Sequence, residues 1–341
     1  MGEFAQQAQA PHVEHRLSLV TRASAQLNDL CTNANWTRTA AVRECHGMEL
    51  AGIYVPLVTP FTTGGDVAYD ALEALAHSVL DAGAAGVVAL GTTGEPATLD
   101  ESERARVVAV CARACRERDV ALIVGAGTND TRRTAEALRA LDAHAALVTV
   151  PYFTRPSEAG VVAHFRHVAQ SGGVPLIVYN IPYRTAQPLS AACLRELAAL
   201  PGVVGVKQSA GCVDQCTVDL LADTPPGLAV LAGDDAFAPA LLALGAHGGI
   251  LASAHLHTAA FVELDAAWRR GDAHRARALG DSLAPLAKAL FAEPNPTVLK
   301  GVLHAQGRIP TPDVRLPLLP ASAAAVTAAV RAAEAVPDAV G

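Results

Sequence analysis

A closed parallel (β/α)8 TIM barrel with a C-terminal helical appendage is the fold this sequence predicts, and three observations predict it. Eight short apolar runs alternate with Ala/Leu/Arg-rich helical stretches, the rhythm of a parallel sheet. The rhythm lasts about 250 residues, the usual length of such a barrel. No Gly-x-Gly-x-x-Gly follows the first run, where Pro56 and Pro60 stand instead. That argues against the alternative, a doubly wound open sheet that cradles a dinucleotide.

Each element follows in order. Residues 1–47 are polar and show no sustained apolar period, so they are expected to be a disordered leader, native or added at the gene start. The barrel is expected over 48–257. Its strands are read at 53–58, 86–90, 121–124, 146–150, 176–179, 203–206, 229–231 and 249–252. Helices are read between them at 69–82, 100–116, 131–140 and 158–170, among others. Beyond 257 the pattern is helical only, with helices read at 258–269, 273–291, 295–305 and 321–335, so 258–341 forms the appendage.

Composition narrows the function. The chain has 341 residues, 51% hydrophobic and only 17% charged, enough apolar matter for a large core. Its net charge is −7 with no basic stripe, which argues against a nucleic-acid partner. No apolar run is long enough to span a bilayer. Seven cysteines, an odd count in a core-rich chain, do not read as a disulfide scaffold. Cys111/Cys115 and Cys212/Cys216 are spaced to share a helix face, but no His or Asp completes a metal pattern. They read as structural thiols in a reducing, cytoplasmic compartment, and neither a metal nor a cofactor is expected.

The chemistry starts from Lys207. The run Val203-Val204-Gly205-Val206-Lys207 is apolar on both faces and then ends in an ammonium. At the carboxyl end of a buried strand, a Lys loses its proton readily and becomes an amine nucleophile for a keto substrate. The plainer alternative is a strand-end Lys that reaches solvent. Two other strand ends weigh against it, because a barrel gathers such ends at one mouth. Tyr179 ends the fifth strand and is either an acid/base or a packed core aromatic. Thr92 and Thr93 sit in a Gly-Thr-Thr-Gly turn, which either holds a carboxylate on its N–H groups or is simply tight. Arg184 either clamps a carboxylate or makes a surface ion pair. Glu95, Asp234 and Asp235 read as structural carboxylates, and His255 and His257 as packed histidines.

Taken in order, Gly91-Thr92-Thr93-Gly94-Glu95, Tyr179-Asn180-x-Pro182-x-Arg184-Thr185, Gly205-Val206-Lys207 and Gly233-Asp234-Asp235 resemble the dihydrodipicolinate synthase / N-acetylneuraminate lyase superfamily. The paired threonines and Arg184 are similar to the synthase branch. The resemblance runs from about residue 48 to the C-terminal helices. It implies a class I lyase that condenses pyruvate with L-aspartate 4-semialdehyde on the way to lysine and diaminopimelate. It also implies a role for each matching residue. Lys207 would form the pyruvate imine, Tyr179 would move protons, and Thr92 would belong to the proton relay. Thr93, Gly233 and the backbone near Ile250 would hold pyruvate, and Arg184 the aldehyde's carboxylate. The assembly implied is a homotetramer or homodimer, with the relay completed by a tyrosine of a neighbouring subunit. That tyrosine belongs where this chain has Phe153, which has no hydroxyl to pass a proton. Glu101, Arg104 and Arg133 occupy positions where lysine-sensitive members carry other residues. Two further readings stay open: a 2-keto-3-deoxy sugar-acid or other pyruvate aldolase, and a non-catalytic keto-acid-binding paralogue.

Overall fold

The computed structural model describes residues 50–337. The leader expected over 1–47, with Cys31 and Cys45, lies outside the described residues, as does the end of the chain from 338. Eight parallel strands close into a barrel in sequence order. They are β1 (Gly52–Pro56), β2 (Gly86–Ala89), β3 (Ala121–Gly125), β4 (Ala145–Thr149), β5 (Leu176–Asn180), β6 (Val203–Gln208), β7 (Ala229–Ala232) and β8 (Gly248–Ile250).

The strands are apolar on both faces because both are covered. One face fills the lumen with Tyr54, Val88, Ile123, Leu147, Ile177, Tyr179, Leu231 and Ile250, at alternate positions along the strands. The other face packs on the outer helices. In order these are α1 (Tyr69–Asp81), α2 (Glu101–Arg116), α3 (Thr131–Arg139), α4 (Glu158–Gln170), the single turn α5 (Pro182–Thr185), α6 (Ala191–Ala198), α7 (Gln215–Ala222) and α8 (Ala238–Ala243). Their starts are written locally. Asp100 and Glu103 form a reciprocal capping box on α2, and Ser190 and Asp214 cap α6 and α7.

The remaining helices are α9 (Thr258–Arg270), α10 (Ala273–Leu290), α11 (Thr297–Ala305) and α12 (Ala323–Glu334). The segment around α11 reaches back to the barrel mouth: Thr311 Oγ1 donates to the Phe61 carbonyl at 2.8 Å. Two local readings need correction. The stretch read as an eighth strand to residue 252 stops at Ile250, and Ala252–His255 turns as a 3-10 helix instead. Cys212 lies in the loop before α7, so it does not share a helix face with Cys216, whereas Cys111 and Cys115 do share α2. All five described cysteines are free thiols.

Candidate active site

Register places the centre of the site. Tyr179 on β5 pairs with Lys207 on β6, and Lys207 pairs with Leu231 on β7, so the amine and the phenol project side by side into the lumen. Lys207 Nζ lies 4.3 Å from the centroid of the Tyr179 ring. Lys207 is only 6% exposed. Burial lowers its pKa to about 8; Asp235 and Asp234 pull it partly back up, and Arg184 pushes it further down. The Tyr179 hydroxyl goes the other way. Burial pushes it up to about 12, against the opposing pull of the Thr92 hydroxyl and Arg184.

Room for the Lys207 chain comes from Gly233. A Cβ there would fall 2.0 Å from Ser209 Oγ and 2.8 Å from Lys207 Cε, closer than real atoms approach. The strand ends are tied outside the lumen. Asn180 Nδ2 donates to Gln208 Oε1, and Gln208 Nε2 donates to Thr217 Oγ1 on α7, both at 2.9 Å.

The threonine turn is a 3-10 helix, Thr92–Gly94, entered from Gly91 and closed by Glu95 in the left-handed region at φ +52°. Gly94 N–H returns to the Gly91 carbonyl and Glu95 N–H to that of Thr92. A helical turn leaves its leading N–H groups without partners inside it. Thr93 is buried.

These groups meet around a hollow of about 20 Å³ lined by Thr92, Thr93, Tyr179, Arg184, Lys207 and Asn295, with Gly233, Asp235 and Ile250 also in its wall. That is room for about one ordered water. Thr92, Tyr179, Arg184 and Asn295 also line a cleft of about 990 Å³ that extends to Arg104 and Arg116 on α2. Arg184, on α5, is exposed.

Among the residues given a role in catalysis or substrate binding, Phe153 alone lines neither cavity. It stands in the loop after β4, 88% exposed, with its backbone held at φ +66°. Glu101, Arg104 and Arg133 are likewise exposed on α2 and α3.

The carboxylates are held differently from one another. Asp234 accepts hydrogen bonds from Gly211 N–H (2.6 Å) and the Tyr183 hydroxyl (3.4 Å). Asp235 accepts from Ser253 N–H at 2.5 Å through Oδ2, while its buried Oδ1 has no partner among the described residues. Burial pushes Asp235 up to about 6, with Ser253 pulling against it. His255 is packed: Nε2 accepts from Val58 N–H, Nδ1 faces the Ala252 carbonyl, and burial lowers its pKa to about 4.

Sequence reasoning missed Lys300 and Asn295. Lys300, fully buried on α11, donates from Nζ to Glu95 Oε1 at 2.8 Å and to the Thr59 carbonyl at 2.9 Å. Its ammonium also lies 4.0 Å from the Phe61 ring centroid. Glu95 Oε2 accepts from Arg315 N–H at 3.0 Å. Asn295 Nδ2 donates to Thr93 Oγ1 at 3.0 Å. The available signal was a lone Lys in the apolar run Thr297-Val298-Leu299-Lys300-Gly301-Val302.

The family model for the dihydrodipicolinate synthetase family matches residues 49–336. The chain belongs to that family. A 4-hydroxy-tetrahydrodipicolinate synthase of Pseudomonas aeruginosa is 38% identical over 272 residues, covering 79% of this chain and 92% of the relative. The enzyme of the same name from Laribacter hongkongensis is 37% identical over 290 residues, 83% and 99% of the two chains. Among solved structures, the chloride-inhibited dihydrodipicolinate synthase of Acinetobacter baumannii complexed with pyruvate superposes with a TM-score of 0.80. It is 34% identical and covers 84% of this chain and 100% of its own. Membership in the dihydrodipicolinate synthetase family accounts for the barrel and for the order of the motifs along it.

Proposed function

We propose that this chain is a 4-hydroxy-tetrahydrodipicolinate synthase, a class I lyase that condenses pyruvate with L-aspartate 4-semialdehyde in lysine and diaminopimelate synthesis. The observation that carries the reading is a buried lysine with a pKa of about 8, its Nζ 4.3 Å from the ring of a buried tyrosine at the mouth of a family barrel. The neutral Lys207 amine adds to the keto carbon, and loss of water gives an iminium. The iminium withdraws electrons, so the methyl carbon of pyruvate yields a proton and the resulting enamine attacks the aldehyde.

Tyr179 keeps its proton at neutral pH, which suits it to donate to the departing hydroxyl and to recover that proton through Thr92. Thr93 and the leading N–H groups of the turn hold the pyruvate carboxylate, with Gly233 and Ile250 completing the wall. Arg184, at the boundary between hollow and cleft, takes the carboxylate of the aldehyde. The barrel over 48–257 carries the chemistry, and 258–341 is its appendage. The working form is a homotetramer or homodimer in the cytoplasm. The free cysteines support that compartment, and among the described residues no helix is long and apolar enough to cross a membrane.

Phe153 favours a second reading, a pyruvate aldolase for another aldehyde, because a relay lacking its hydroxyl is less suited to the synthase reaction. Borohydride reduction with pyruvate should attach a three-carbon adduct to Lys207, seen by peptide mass spectrometry and lost in Lys207→Ala. An adduct that persists in that variant defeats the assignment. A panel of aldehydes then separates the readings: the synthase requires aspartate semialdehyde to be turned over fastest.

A further inference from the structure

Asn295 precedes α11 and reaches across 202 residues of sequence to the threonine turn. The turn is held just beyond Thr93. Thr59 Oγ1 donates to the Gly94 carbonyl at 2.7 Å, and Glu95 is tied to Lys300 and to Arg315 N–H. The Thr93 backbone is thereby fixed, and what stays free is rotation of its hydroxyl proton. A hydroxyl has one proton to donate and two lone pairs to accept with. Asn295 donates, so it occupies a lone pair and turns the proton elsewhere. Thr93 and Asn295 line the same hollow as Lys207.

We propose that Asn295 is a positioning residue that fixes the Thr93 hydroxyl as a donor toward the substrate carboxylate. This rests on the reading that a 2-keto acid places its carboxylate at the Thr92–Thr93 turn. Substitutions then act through the direction of one proton. Asn295→Ala frees the hydroxyl to rotate, so the donor is presented part of the time. Asn295→Asp offers only acceptor oxygens, draws the Thr93 proton to itself, and leaves the keto acid facing a lone pair.

The readout is the pyruvate concentration giving half-maximal borohydride trapping on Lys207, measured in wild type, Asn295→Ala, Asn295→Asp, Thr93→Val and Thr93→Val/Asn295→Ala. Hydrogen bonds to a charged acceptor set the scale. Asn295→Ala should raise it about 3- to 10-fold and Asn295→Asp about 30-fold or more, while the KM for the aldehyde changes less than about 2-fold. In the Thr93→Val background Asn295→Ala should add nothing, because the hydroxyl it orients is gone. Equal effects of Ala and Asp, an undiminished effect of Asn295→Ala in that background, or parallel losses for both substrates would overturn the proposal. If Asn295→Asp fails to fold, the cycle with Ala decides alone. A wild type that pyruvate never traps defeats the functional reading and this inference with it. A wild type trapped normally, and indifferent to Asn295, defeats only this inference.

Discussion

Replacing Lys300 with Met removes the only positive charge, among the described residues, bonded to the buried Glu95 carboxylate. The two side chains are 0% and 2% exposed and 2.8 Å apart. The Met chain fills the space of the aliphatic stem, so the main loss is the counter-ion. Arg315 N–H remains on the other carboxylate oxygen. Breaking a buried pair from one side costs about 3–5 kcal/mol, because the stranded charge keeps its desolvation penalty. For a domain of this size each kcal/mol moves Tm by about 2–4 °C, which gives a drop of roughly 6–20 °C. Thermal melts followed by circular dichroism, at one protein concentration and one pH, measure it. Glu95→Gln in the same chain removes the stranded charge, so the double variant should melt above Lys300→Met alone. A Lys300→Met protein that loses under about 1 kcal/mol, or a double variant that loses the sum of the singles, would refute this reasoning.

The other predictions follow from the same geometry. Lys207 must be neutral to attack, so kcat/KM for pyruvate should climb about tenfold per pH unit up to a bend near the Lys207 pKa of about 8 and level off above it. At pH 7 that pKa leaves about one amine in ten neutral, some 300 times more than an ordinary lysine at 10.5; a bend near 10 would contradict the site. Arg184→Ala should weaken use of the aldehyde about ten- to a hundredfold with little change for pyruvate, and bisubstrate kinetics showing equal losses would rule that role out. L-Lysine should inhibit weakly if, as the family resemblance implies, Arg133 replaces an acid that would attract its ammonium groups; half-inhibition below about 1 mM, on the micromolar-to-millimolar scale usual for enzyme ligands, would refute this. Phe153→Tyr should raise synthase turnover modestly, because it restores a hydroxyl to the relay; a relay proton is worth a part of the 10²–10⁴-fold typical of acid–base help. No gain, with another aldehyde preferred by the wild type, would favour the aldolase.

The sequence made the barrel legible because a strand buried on both faces is an apolar run that needs no partner to be recognised. Val203–Gln208 and Leu176–Asn180 are such runs, and Lys207 and Tyr179 stand out at their ends. Strand ends were harder to read. Leu57 continues the apolar run of β1, yet beyond Pro56 it keeps only a bond from its N–H to the Val88 carbonyl. Ala252 was read into β8, but the chain turns there. The short outer helices α5 to α8 carry four to eight residues each, too few for a 3.6-residue period to declare itself. Lys300 was illegible for another reason. A lone lysine in an apolar helix looks like an interruption until its carboxylate is known, and Glu95 lies 205 residues away. Asn295 and Thr93 are hidden from each other in the same way.

That separation also sets an order of events during synthesis. A ribosome adds about 5–20 residues per second, so roughly 10–40 s pass between the emergence of Glu95 and that of Lys300. Late in that interval strands, nucleophile and threonine turn are all present, yet the carboxylate at the foot of the turn still lacks its ammonium and Thr93 its amide. A nascent chain halted after its eighth strand would therefore hold Lys207 and Tyr179 yet grip a keto acid less firmly than the finished chain. Full competence arrives with the last helices, so an unfinished copy of this enzyme is a weaker one.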